Sequence, residues 1–99
     1  MKNNEKELIK LRKEVNKITM QIFKLIYKRQ KLCYKIGLLK KKIGLKIRNK
    51  DIEEKLKMEV LEYCKKYGLR KNFCLKILNL LILESIKEQE KIFSISKRR

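Results

Sequence analysis

Between Leu8 and Ile43 the chain alternates steps of three and four: Leu8, Leu11, Val15, Ile18, Ile22, Leu25, Arg29, Leu32, Ile36, Leu39 and Ile43. This period is the mark of one helical face, interrupted only by Arg29. The 99 residues contain no proline and only three glycines, Gly37, Gly44 and Gly68, so little in the seam forces a break. At about 1.5 Å per residue the helix is roughly 50 Å long, whereas a compact monomer of this size has a radius of gyration near about 13 Å. The remaining residues are too few to cover it. A two-fold homodimer, with a second copy laid against the seam, is the commonest solution. Gly37 costs about 1 kcal/mol in helix propensity but permits another helix to come close.

The spacing predicts a second helix starting near Asn49 or Asp51, where Asp51 and Glu54 read as an acidic cap and a first-turn carboxylate. Its expected buried stripe is Ile52, Leu56, Val60, Tyr63 and Tyr67, with Gly68 as the stop. After a turn from Gly68 to Lys71, Asn72 is the expected cap of a third helix. That helix carries Cys74, Leu78, Leu81, Ser85, Gln89 and Ile92 along one line. The fold class is therefore all-α, with three helices, one of them very long. Residues 1–93 form the expected helical domain, and residues 94–99 a frayed basic tail.

Composition narrows the chemistry. Twenty-nine Lys and Arg against eleven Asp and Glu give +18, which suits an anionic partner: nucleic acid, a membrane surface or a small acidic substrate. With no His, a Ser-His-Asp triad, an imidazole base and a His-ligated zinc are all excluded, and no metal or cofactor is expected. Cys33, Cys64 and Cys74 lack CxxC spacing and are odd in number, which fits reduced thiols used as small apolar side chains. No apolar run is long enough to span a membrane, the start is too polar for a signal peptide, and a cytoplasmic location is expected.

Three breaks in the apolar pattern are candidate site positions. A guanidinium stays charged and is costly to bury without an anion, yet no Asp or Glu lies between Val15 and Lys50. The partner of Arg29 is therefore either a ligand or a carboxylate from the later helices or the second chain. Lys40 follows Arg29 by eleven residues, about 20° around the helix and roughly 16 Å along it, so both side chains can lean toward one small molecule. Arg12 lies about 100° away and some 25 Å up the helix, within reach of that site only when delivered by a partner helix. Ser85 and Gln89, one turn apart, direct a hydroxyl and an amide inward, toward either another helix or a ligand. Glu53 is by itself a favourable helix-end charge.

In this order, Leu11-Arg12, Lys28-Arg29, Lys40, Glu53 and Glu84-Ser85 with Gln89 resemble the all-helical chorismate mutases of the shikimate pathway, over about residues 5–93. Those proteins are small intertwined homodimers that convert chorismate to prephenate. The resemblance implies that Arg29, Lys40, Glu53, Ser85 and Gln89 come from one subunit and Arg12 from the other. It further implies that Arg12 and Arg29 hold the two carboxylates with help from Ser85, that Glu53 accepts from the ring hydroxyl, and that Lys40 and Gln89 face the ether oxygen. Asn49 stands where the family often has Asp, and joins the expected substrate-binding set. Ile52 stands where an Arg commonly precedes the Glu, leaving Arg48 and Lys50 as candidates to replace that cation.

The reaction breaks a carbon-oxygen bond as a carbon-carbon bond forms within one molecule, so it requires no nucleophile, proton shuttle or metal. The implied partners are the dianionic chorismate and a second copy of the chain, with no membrane. The competing reading is a basic, non-catalytic helical dimer that binds nucleic acid, supported by the net charge of +18. It leaves Arg29 and the inward Ser85/Gln89 pair unexplained, and no helix-turn-helix or base-stacking pattern is present. A purely structural coiled-coil dimer would explain the seam but not its polar interruptions.

Overall fold

The computed structural model describes residues 2–97, which form α1 (Lys2–Ile43), α2 (Lys50–Lys66) and α3 (Lys71–Lys97). No strand occurs among the described residues, and none of their helices is long and apolar enough to cross a membrane. The expected all-α class and the count of three helices agree with the structure.

The chain divides into two units, residues 1–31 and 32–99. The first is the greater part of α1, with Glu5 favourably placed in the first turn. Its seam residues Leu8, Leu11, Val15, Ile18, Ile22 and Leu25 are all exposed, while Arg29 is half-buried. The second unit contains the end of α1 with α2 and α3. There the seam residues Leu32, Ile36, Leu39 and Ile43 are again exposed, and the buried positions of α1 are Cys33 and Gly37 on the adjoining face. In a single chain, the long apolar seam is therefore uncovered.

Two helix ends explain how the second unit turns. Gly44 adopts φ 77° just past α1, and the Leu45 amide donates back to the Lys40 carbonyl at 2.8 Å. Gly68, φ 66°, does the same for α2: Leu69 N–H reaches the Cys64 carbonyl at 2.9 Å and Gly68 N–H the Lys65 carbonyl at 3.4 Å. Both closures satisfy last-turn carbonyls through a left-handed residue that glycine adopts without a Cβ clash. The expected stop at Gly68 is thus found.

Several local expectations are corrected. Asn49, not Asp51, caps α2: its Oδ1 accepts from the Ile52 amide at 3.2 Å, and Asp51 lies inside the first turn. Asn72 caps nothing, because closure at Leu69 leaves a single residue before α3, and the Cys74 amide already donates to the Arg70 carbonyl at 3.1 Å. The inward face of α2 is rotated from the expected stripe: Glu53, Leu56, Val60 and Leu61 are half-buried and Cys64 is buried, while Ile52, Tyr63 and Tyr67 are exposed. Cys64 and Cys74 are not separate thiols but a disulfide across the α2–α3 turn, with Cα atoms 6.9 Å apart. Cys33, outside that bridge, is buried. The line on α3 holds: Cys74, Leu78, Gln89 and Ile92 are buried, and Leu81 and Ser85 half-buried. The helix continues through Ser94 to Lys97, and the last two residues of the expected tail lie outside the described residues.

Gly37 is where α1 meets α3. A Cβ built there would stand 2.8 Å from Ile92 Cδ1, 3.1 Å from Gln89 Cγ and 3.2 Å from Gln89 Cα. The Ile92 tip can rotate, but the Gln89 backbone yields only if the helices part. Substituting Ala would gain about 1 kcal/mol of helix propensity and lose about 1–3 kcal/mol to overpacking. Gly37→Ala should therefore lower stability by about 1 kcal/mol in urea unfolding; a higher midpoint at unchanged slope would contradict this contact.

Candidate active site

Each polar side chain at the candidate site is set by a local feature of the chain. Lys40, half-buried three residues beyond Gly37, donates from Nζ to the carbonyl oxygen of Ile47 in the segment joining α1 and α2. An ammonium carries three donors, so two remain for other acceptors. Lys41 reaches the other way, to the Ile92 carbonyl of α3 at 3.5 Å. The cationic run at the end of α1 thus ties that end both to the connecting segment and to α3, and complements the negative pole of the helix.

Glu53 enters from the first turn of α2. Asn49 closes that turn with its side-chain oxygen, and the Glu53 amide makes the first helical bond to the Asn49 carbonyl at 3.1 Å. Arg48, just before the cap, grips the carboxylate with two teeth: Nε to Oε2 at 3.1 Å and Nη2 to Oε1 at 2.6 Å. These hydrogen bonds hold the Glu53 carboxyl below its ordinary range against an opposing push from partial burial. The positive charges of Arg48, Lys50 and Lys40 act in the same direction as the bonds, so the carboxylate lies within the field of the Lys40 ammonium. The same pair raises the pKa of Arg48.

Ser85 and Gln89 come from α3. Gln89 is only 4% exposed, and its Nε2 donates to the Ser85 hydroxyl oxygen at 3.0 Å. Its Oε1 is buried and has no hydrogen-bond partner among the described residues. Unmatched buried polar atoms are uncommon, because leaving one unpaired costs about 1–3 kcal/mol. The Ser85 hydroxyl both donates and accepts, so a half-turn of the amide keeps that bond and presents Nε2 where Oε1 stands. Either way, one polar atom of a buried amide has no partner among the described residues.

The second unit therefore holds Lys40, Asn49, Glu53, Ser85 and Gln89 together with their supports, Gly37, Ile47 and Arg48. Lys40 and Glu53 meet at the Ile47–Arg48 stretch, while Ser85 and Gln89 pair with each other across from Gly37. Beside Arg48 an open cleft is lined by Ile47, Arg48, Ile86, Glu90, Phe93 and Ser94. Arg12 and Arg29 belong to the first unit, the former exposed and the latter half-buried. Asn49 has its side-chain oxygen committed to the helix cap, which leaves its NH2 group for any other contact.

The two-toothed Arg48–Glu53 pair was not anticipated as such, although the spacing carries its signal. The residue before a cap and the fourth residue of the helix are the pair that a capped helix start brings together, usually through apolar contact. Here those positions hold opposite charges.

The donor set is cationic and amidic, with an ionised acceptor beside it and no imidazole. It suits the binding and charge stabilisation of a small anion better than proton transfer. No match was found among curated proteins or among solved structures. Comparison with protein families matches residues 11–90 to chorismate mutase type II, a span that includes Arg12, Arg29, Lys40, Asn49, Glu53, Ser85 and Gln89. The chain belongs to the chorismate mutase type II family.

Proposed function

We propose that this protein is a chorismate mutase, an isomerase that rearranges chorismate to prephenate for aromatic amino acid synthesis, acting as an intertwined homodimer in the cytoplasm. The observation that carries this reading is the buried Gln89 amide, with one atom unpartnered among the described residues, where α3 meets Gly37 of α1. Turned so that Ser85 donates to Oε1, Gln89 presents an N–H to the ether oxygen. The Lys40 ammonium meets that oxygen as negative charge grows on it in the transition state. Arg29 and the partner subunit's Arg12 hold the two carboxylates, Ser85 assists at one of them, and Glu53 accepts from the ring hydroxyl. The Asn49 NH2 group is the remaining donor near the start of α2.

The protein's contribution is then twofold. Fixing both carboxylates restricts a flexible dianion to its compact reactive shape, and preorganised donors stabilise charge where it develops. The bidentate fork of Arg suits carboxylates, and the point charge of Lys40 suits a single oxygen. Pairing is supported by the seam: Leu8, Leu11, Val15, Ile18, Ile22, Leu25, Leu32, Ile36, Leu39 and Ile43 are exposed in one chain, and a line of that length calls for a cover.

The first test is the disappearance of chorismate with purified protein and identification of prephenate as product. Lys40→Ala and Gln89→Ala should each lower turnover by about a hundred- to a thousandfold, the effect of deleting one preorganised donor, while changing the thermal midpoint little. Retained turnover in both would remove their assigned roles.

Replacing the Gln89 amide by a carboxyl gives a group that donates only when protonated. Burial disfavours its ionised form, so activity of Gln89→Glu should rise as pH falls. A flat profile between neutral and acid pH would contradict donation from position 89.

Sharing of the site between chains is tested by mixing inactive Arg12→Ala and Arg29→Ala proteins. A mixed dimer has one site with both arginines and one with neither, so random exchange should restore about a quarter of wild-type activity. No recovery after verified subunit exchange would place both arginines in one chain.

A further inference from the structure

Arg48 and Glu53 form a close ion pair in the second unit, and their geometry is more specific than a surface pair requires. The guanidinium contributes Nε and Nη2, one to each carboxylate oxygen, at 3.1 and 2.6 Å. Their side chains are 51% and 23% exposed. Pairs so open to water add little to folding stability, because solvent screens the attraction. What a fork does fix is orientation: it sets the carboxylate plane and leaves each oxygen a further lone pair.

The segment that carries Arg48 is itself held. Lys40 donates to the carbonyl of Ile47, the residue immediately before, and Asn49, the residue immediately after, caps α2. Arg48 is thus anchored on both sides by groups belonging to the site, and its position before the cap places it opposite Glu53. The Arg48 hydrogen bonds also keep the Glu53 carboxyl ionised to lower pH than an isolated glutamate.

We propose that Arg48 is a positioning residue that locks the Glu53 carboxylate in an ionised, oriented state so that it can accept a hydrogen bond from the substrate hydroxyl. This rests on the chorismate mutase reading and deepens it: the acceptor at position 53 works as a pair, and the specificity of the site for a hydroxylated dianion depends on a residue that does not itself touch the reacting atoms.

The experiment compares the wild-type chain, Arg48→Ala, Arg48→Lys, Glu53→Ala and the Arg48→Ala/Glu53→Ala double variant in pH-dependent turnover of chorismate. Arg48→Ala should lose about ten- to a hundredfold in kcat/KM, the scale of a misplaced site group, and its acid limb should move to higher pH. Lys supplies charge without the fork, so Arg48→Lys should return the acid limb only part of the way and restore only part of the rate. In the Glu53→Ala background, removal of Arg48 should cause no further loss. Wild-type rate and an unmoved acid limb in Arg48→Ala would overturn the proposal, as would an equal loss in the Glu53→Ala background. The Arg48→Lys profile decides the matter if Arg48→Ala fails to fold. Absence of turnover in the wild-type chain would overturn the mutase reading and this role together, whereas a normal wild-type rate with an indifferent Arg48 overturns this role alone.

Discussion

Where α3 crosses Gly37, the missing side chain lets the Gln89 backbone approach until a Cβ would stand 3.2 Å from its Cα. Much of the second unit follows from that closeness. It buries Gln89 and Ile92 against α1, and it places Lys40 one turn further along the face that Gly37 opens. It also removes water from the Gln89 amide, so that an unpartnered atom there is an energetic debt which a suitable ligand would relieve. A helix propensity loss of about 1 kcal/mol at a single glycine is small beside that consequence.

The start of α2 is controlled in a different way. Its geometry owes little to burial and much to capping: Asn49 closes the first turn, Arg48 stands just outside it, and Glu53 is brought back toward Arg48. The chain thereby sets a carboxylate beside cations without burying either deeply, which avoids the desolvation penalty of an interior ion pair. Folding chemistry and site chemistry use the same residues here. The Ile47 carbonyl serves both as part of the connecting segment and as the anchor of the Lys40 ammonium.

The legible parts of the sequence were those governed by period. The seam of α1, the line from Cys74 to Ile92 and the glycine stop at Gly68 all follow from spacing, because a helix repeats and a left-handed stop needs glycine. What spacing did not resolve was rotation and pairing across turns. Both Tyr63 and Cys64 continue a stripe from Val60, and the choice between them depends on where α3 lies; the structure buries Cys64 and exposes Tyr63. The same turn brings Cys64 to Cys74, a contact that an odd cysteine count without CxxC spacing does not reveal. At the candidate site, Arg29, Ser85 and Gln89 were legible as interruptions of an apolar line. The bond from Lys40 to Ile47 was not, since a backbone carbonyl leaves no trace in residue identity.

The excess of positive charge bears differently on the two functional readings. A net +18 spread over exposed lysines attracts any anion, nucleic acid included, and so does not choose between a polymer and a small dianion. The choice lies with the polar groups that are not on the surface. A polymer read along its backbone needs accessible donors, whereas Gln89 is 4% exposed and its amide is bonded to Ser85. Burial also makes each remaining donor count for more, because a hydrogen bond shielded from water is electrostatically stronger than one exposed to it. On the chorismate mutase reading proposed above, the surface charge speeds encounter with an acidic molecule, and the interior amide and the held carboxylate decide which acidic molecule is retained.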